Sequence, residues 1–286
     1  MTSQEPRIKV GIGLPAGIPG VTGDALIAWA KKSDDAGFSS LAVIDRLAYA
    51  NQEPLAVLAA AAAVTRTARL ATTVLLGPQR INAALLAKQT ATIDSISGGR
   101  LMLGIAVGGR PDDFELSAAD FHRRGANLER QLAEMKEIWN SNGPIGPRPA
   151  RAGGPELIAG GHSDAAIARG ARLADGWIAG AGGIEGFRAG AEILKAAWQA
   201  AGRKGNPRLL GLTYFGLGPG ADDFVGDYIT DYYGEFGSRL LPQIPRTADK
   251  ARQMVASYHA AGCDELILLP CSDDVGQVEQ LAEAVL

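Results

Sequence analysis

Cysteine is nearly absent from the chain, with two residues, Cys263 and Cys271, among 286. They form no CxxC pattern, which argues against a disulfide framework or a zinc knuckle and leaves both as structural residues. Histidine is scarce as well, at three. No His, Cys, Asp or Glu cluster has metal-ligand spacing, so no metal is expected. Charge is nearly balanced, with a formal net charge of -3, which gives no reason to expect nucleic acid or an anionic membrane as partner. No apolar run approaches the roughly 20 residues of a membrane span, and the opening MTSQEPRIKV has no signal-peptide core. The expected location is the cytoplasm. The GxSxG elbow is also missing, and no carboxylate pair suggests glycosidase chemistry.

What is present is material for a large buried core, with 47% hydrophobic residues against 21% charged. Short apolar runs alternate with longer amphipathic stretches from end to end, the pattern of repeated βα units around a parallel sheet. The strand-like runs are 8–14, 39–44, 70–76, 101–107, 155–160, 175–180, 208–218 and 264–270. Most are apolar at consecutive positions, as expected of strands covered on both faces. Helical stripes recur between them: Leu128, Leu132, Met135 and Ile138; Phe187, Ala191, Leu194 and Trp198; and Leu86, Ile93 and Ile96. Such a succession predicts an α/β chain folded as a single (β/α)8 TIM barrel over 1–286. Two connections are longer than a barrel needs, one after strand four (108–124) and one after strand seven (218–246). The second carries Phe224, Tyr228, Tyr232, Tyr233 and Phe236. Both follow strand C-termini, where barrel enzymes place their sites.

The stretch IAGGHSDAAIARGARLADGWIAG, residues 158–180, ends two successive strand runs in glycine. On neighbouring strands, Gly160-Gly161-His162-Ser163 and Gly180-Ala181-Gly182-Gly183 form adjacent loops, each leading into a helix, with Ser163 or Asp164 as an N-cap. Bare backbone N–H groups at helix starts suit a phosphate. The plainer reading is tight turns, which a single Gly-Gly pair would favour.

These stretches resemble the bacterial luciferase-like monooxygenases, a barrel superfamily that uses FMN or the deazaflavin coenzyme F420. The likeness is most specific over 69–114, including the Ser-Gly-Gly-Arg-Leu turn at 97–101, and over the glycine segment with its Ala-Asp-Gly-Trp strand; Asp45-Arg46-Leu47 stands where many members have Asp-His-Leu. The resemblance implies a ring across the C-terminal mouth, backed by a non-prolyl cis peptide at Thr73-Val74. It implies Ala106, Val107 and Gly108 beside the ring, and Gly161, His162, Gly180 and Ala181 around the phosphate. It further implies a small organic substrate, a separate flavin reductase where reduced FMN reacts with dioxygen, hydride transfer where the deazaflavin is used, and a homodimer.

Arg46 replaces a histidine and is a poor acid or base, since it stays protonated. It either meets an anionic flavin edge or acidic substrate, as the one catalytic candidate, or is salt-bridged to Asp45 or another rim carboxylate. His122 reads as surface packing, His259 as structural, and Asp112, Asp113 and Glu115 as solvated loop acids. Insertion 218–246 is either a lid and pocket wall or an amphipathic helix packing on the barrel or a second subunit. Two further classes stay open: a phosphosugar lyase or isomerase, for which Lys9, Lys88, Lys136 and Lys195 are poorly placed, and a non-catalytic flavin-binding relative.

Overall fold

A computed structural model describes residues 8–180 and 182–286. Parallel strands β1 (Lys9–Gly13), β2 (Ser40–Val43), β3 (Arg69–Leu76), β4 (Leu101–Ala106), β5 (Glu156–Gly160), β6 (Gly176–Ala179), β7 (Arg208–Phe215) and β8 (Glu265–Pro270) close into a barrel in sequence order, β8 pairing with β1. The helices are α1 (Gly23–Ala36), α2 (Pro54–Val64), α3 (Ala83–Ile96), α4 (Pro111–Ser117), α5 (Arg124–Asn140) and α6 (Asp164–Leu173). They continue as α7 (Gly183–Ala200), α8 (Ala221–Tyr233), α9 (Gly237–Leu240), α10 (Ala248–Ala260) and α11 (Gly276–Val285). The expected (β/α)8 architecture is therefore observed, with every strand inside its predicted run or one residue beyond it.

Strand alternation separates two cores. Ala42, Ala71, Met102, Ile158, Ile178, Leu210, Leu212 and Ile267 fill the barrel interior. Leu41, Leu70, Leu103, Leu157, Trp177, Leu209 and Leu266 face outward and pack with the helices. The stripes on α5 and α7 form as expected at Leu128, Leu132, Met135, Phe187, Ala191, Leu194 and Trp198. Two positions differ. Trp139, whose Nε1 donates to the Ala87 carbonyl at 3.0 Å, holds the buried place at the end of α5, with Ile138 half-buried beside it. Ile96 is 52% exposed, because it lies roughly 60° round α3 from Ile93 at 100° per residue and the helix ends there.

A polar plug closes the N-terminal end. Glu265, fully buried, accepts hydrogen bonds from Ser40 Oγ at 2.7 Å and from Arg208, which also bonds Glu156 at 2.8 Å. A buried carboxylate is tolerable only with such partners. The opposite, C-terminal end carries both long connections: α4 follows β4, and α8 and α9 follow β7.

Candidate functional site

The glycine loops meet as the sequence suggests. β5 and β6 pair side by side, Gly160 opposite Ile178. Gly160 and Gly180 continue the inward-facing positions of Ile158 and Ile178, and their missing side chains let Val74, Ala106 and His162 approach the backbone closely. A Cβ on Gly160 would lie 2.9 Å from Val74 Cγ1 and 3.3 Å from Ala106 Cβ, and one on Gly180 would lie 2.8 Å from His162 Nε2. Gly161 adopts φ +121°, a conformation that favours glycine. Its carbonyl accepts from Trp177 Nε1 at 2.8 Å, which pins the first loop to β6. Ser163 caps α6 by accepting from Ala166 N. The eighteen-residue α7 has no side-chain cap at Gly182, leaving its first N–H groups without that partner. The first-turn acids there are Asp164, which is exposed, and Glu185, which pairs with Arg188 at 2.9 Å. Ala181 lies outside the described residues.

The end of β3 completes the same rim. Its register against β4 shifts between Thr72 and Leu75, across Thr73-Val74, whose peptide bond is cis as expected. Thr73 Oγ1 donates to the Val43 carbonyl at 3.2 Å, while Val74 packs half-buried against the interior core. Ala106 shares that inner side. Val107 alternates outward and packs with the outer core, and Gly108 turns the chain beside Phe114 and Gln79.

Arg46 is held by carboxylates. Its Nε meets Asp113 at 2.8 Å and its Nη2 meets Asp112 at 2.9 Å, so of the alternatives weighed for it the rim salt bridge is the one formed. Asp45 pairs instead with Arg80 at 2.6 Å. Asp112 is exposed, as expected, while the reading of Asp113 as a solvated acid is corrected. Asp113 is fully buried and also accepts from the backbone N–H groups of Leu47 (2.9 Å) and Ala48 (2.7 Å). The reason is that 111–117 folds as a helix that presses its first turn onto the strand-two loop. Glu115 is exposed, as expected, and so is His122, edge-on to Phe121. His259 belongs to α10 and lines a cavity at the N-terminal end with Lys9 and Arg208.

The aromatic insertion lies across the mouth. Tyr228 and Tyr232 of α8 are buried in the interior core with Tyr214 of β7, and Tyr233 packs against them. Tyr49 meets Tyr232 edge-on at 4.9 Å and bonds Asp231. Arg46 and Arg110 each place a guanidinium 5.7 Å from the Tyr232 ring centroid, and Arg110 also donates to the Tyr232 carbonyl at 2.6 Å. Burial pushes the hydroxyl pKa of Tyr214, Tyr228, Tyr232 and Tyr233 upward. Of the insertion's five aromatics, only Phe236 points strongly outward, at 51% exposed. The four lysines weighed for Schiff-base chemistry stay away from this mouth. Lys9 opens β1 at the other end, Lys88 is exposed on α3, Lys136 donates to the Leu173 carbonyl, and Lys195 pairs with Glu192.

A family model described as luciferase-like monooxygenase matches residues 8–286. The chain belongs to that family. Among curated proteins, it is similar to an uncharacterized protein of Mycobacterium tuberculosis (strain ATCC 25618 / H37Rv), 31% identical over 173 residues, covering 56% of this chain and 61% of that one. The chain thus spans less than two thirds of the length of the curated relatives it matches first. Among solved structures, an F420-dependent secondary alcohol dehydrogenase in complex with an F420-acetone adduct superposes with a TM-score of 0.82 at 14% identity, covering 98% of both chains. The oxygenating constituent of 3,6-diketocamphane monooxygenase from Pseudomonas putida, in complex with FMN, gives 0.76 at 17% identity, covering 98% and 99%. At such identities these likenesses show the fold.

Three parts of the luciferase-like mouth escape sequence reasoning: the burial of Asp113, Tyr49 beneath α8, and Arg110 over the tyrosines. One signal was available. Pro111 followed by two acids is a helix-start signature, and reading it would have turned 111–117 from loop into helix.

Proposed function

We propose that the chain is an oxidoreductase that binds FMN or coenzyme F420 across the C-terminal mouth of the barrel, its phosphate on the β5 and β6 loops. The observation that carries this reading is the contact of the two glycine loops. Gly180 approaches His162 so closely that a Cβ would stand 2.8 Å from its Nε2, on the rim that also holds Thr73-Val74. The cradle fits the group. Backbone N–H groups at the uncapped start of α7, the imidazole of His162 and the bare Gly161 and Gly180 suit a phosphate without any lysine clamp. Val74 and Ala106, packed close against Gly160, offer an apolar floor for a planar ring.

A bound flavin or deazaflavin would supply the redox chemistry, with dioxygen in the first case or by hydride transfer in the second. The chain's own residues do the rest. The loops hold the phosphate, β3 and β4 floor the ring, and the α8 tyrosines exclude water from the mouth. Arg46, neutralised by Asp112 and Asp113, holds α4 against the strand-two loop. A catalytic charge on Arg46 is no part of this reading. The same reading carries a small organic substrate, a separate reductase where FMN is used, and a homodimer. Ile81 and Leu85, 58% and 54% exposed at the start of α3, support the last of these.

The test is a titration of the purified protein with FMN and with F420, followed by the absorbance shift of each. Saturable binding of one is expected, weakened by Gly180→Ala. Binding of neither would overturn the reading.

A further inference from the structure

One carboxamide at the rim is buried without a partner. Gln79 closes the 3-10 turn Gly77–Gln79 that follows β3. Its Nε2 and its Oε1 are both buried, and neither has a hydrogen-bond partner. Among the described residues no other side chain carries two such atoms. The residue as a whole is only half-buried, so what water reaches is its stem and backbone rather than its amide. That is the reverse of the way a long polar side chain normally lies. Buried polar groups without partners are rare in folded proteins, and each calls for an explanation.

The amide stands at the C-terminal ends of β3 and β4. A Cβ on Gly108, two residues past the end of β4, would lie 3.4 Å from Gln79 Nε2, with Phe114 and Leu76 on its other contacts. The backbone on both sides of Gln79 is fastened. Leu76 N donates to Asp45 at 2.8 Å, Arg80 pairs with Asp45 at 2.6 Å and with Glu53 at 2.9 Å, and the Arg80 carbonyl accepts from Gln131 Nε2. The turn is thus held from both ends while the amide it carries is bonded to nothing, the build of a group set in place for a ligand. An amide open at both ends asks for an acceptor and a donor side by side. A simple anion or cation satisfies one end only. A cis amide or imide, H–N–C=O, satisfies both at once, its N–H on Oε1 and its carbonyl on Nε2. The ring systems of FMN and F420 both carry that group in their pyrimidinedione edge.

We propose that Gln79 reads the pyrimidinedione edge of the cofactor ring, its Nε2 donating to a ring carbonyl and its Oε1 accepting from the adjacent ring N–H. The assignment rests on the proposed function, which lays the ring over the ends of β3 and β4, and it turns the pyrimidinedione edge of that ring towards the β3–β4 side of the mouth. Because FMN and F420 share this edge, Gln79 serves either and does not choose between them. In the ligand-free chain the amide contributes no hydrogen bond, so its removal deletes two orphaned groups and breaks nothing. A binding residue of this kind is therefore separable from a structural one: taking it away weakens the ligand and spares the fold.

The experiment titrates the full chain and Gln79→Met, a near-isosteric change that deletes both polar atoms, with FMN, with F420 and with the N3-methyl derivative of each, followed by ring absorbance. The unsubstituted chain should bind the parent cofactor about tenfold more tightly than its N3-methyl derivative, the difference one hydrogen bond makes. Gln79→Met should weaken the parent about tenfold and bring that preference to near unity. Without cofactor, the same substitution should leave the urea unfolding midpoint unchanged or higher, since no bond is lost. Equal binding of parent and N3-methyl derivative by the unsubstituted chain, or a preference that survives Gln79→Met, overturns the proposal. So does a lower midpoint in ligand-free Gln79→Met, which would show the amide to be held within the fold. Binding of neither FMN nor F420 would overturn the proposed function and this assignment together, whereas saturable binding without the preference overturns this assignment alone.

Discussion

Asp113→Ala should be among the costliest single substitutions at the rim, and its cost can be worked from the structure. The carboxylate is fully buried and accepts from Arg46 Nε at 2.8 Å, Leu47 N at 2.9 Å and Ala48 N at 2.7 Å. Truncation leaves two backbone N–H groups unpaired, about 1 to 3 kcal/mol each. It also leaves Arg46, 8% exposed, with only the more exposed Asp112. Breaking a buried pair costs about 3 to 5 kcal/mol, and since the two penalties overlap, a loss of about 4 kcal/mol is expected. Asp112→Ala removes a carboxylate whose side chain is 51% exposed, and solvent screening holds that loss to about 0 to 1 kcal/mol. Denaturant unfolding of both variants, followed by circular dichroism, makes the comparison. A third variant, Arg46→Met/Asp113→Leu, deletes the pair together and should recover only the part of the loss due to the uncompensated charge, since the N–H groups of Leu47 and Ala48 stay without their acceptor. A loss below about 1 kcal/mol for Asp113→Ala, or equal losses at 112 and 113, would refute the account of Arg46 as a structural cation. Retained cofactor binding in the double variant would separate that role from catalysis.

Gly180→Ala should change stability by less than about 1 kcal/mol, since its new Cβ meets only the tip of an exposed histidine, yet weaken FMN or F420 binding about tenfold in the absorbance titration. Trp177→Phe deletes the Nε1–H bond to Gly161 and some buried ring volume; a loss of about 2 kcal/mol is expected, with faster amide exchange at 161–163. Burial pushes the Cys263 thiol up to about 12 from an ordinary 9.0, so the native state holds this proton more tightly than the unfolded chain. The stability this contributes is complete below pH 9.0 and is lost as pH rises towards 12, at up to about 1.4 kcal/mol per unit; Cys263→Ala should flatten that decline in unfolding measured at alkaline pH.

How much of this was legible in the sequence follows from what each feature depends on. The barrel depends on period: eight apolar runs separated by helical stripes leave few other ways to bury both faces of every strand. The glycine loops were legible for a related reason, since strands adjacent in a right-handed βα succession put their C-terminal ends side by side. Position along a helix face blurs at helix ends, which is why Ile96 emerged from the core and Trp139 displaced Ile138. Charge pairing is different in kind. Asp113 and Arg46 are sixty-seven residues apart, and nothing in the local pattern of either names the other; only the packing of α4 onto the strand-two loop makes a solvated acid into a buried one. The tyrosine cap shows the same dependence. Its residues on α8 were visible as an aromatic cluster, but Tyr49 and Tyr214 come from separate turns of the barrel. It is the closure of the ring that brings these rings into one cluster, Tyr49 against Tyr232 and Tyr214 against Tyr228 and Tyr233. A cluster of this kind is assembled from contacts between distant parts of the chain, and such contacts leave no mark on the local pattern of any one of them.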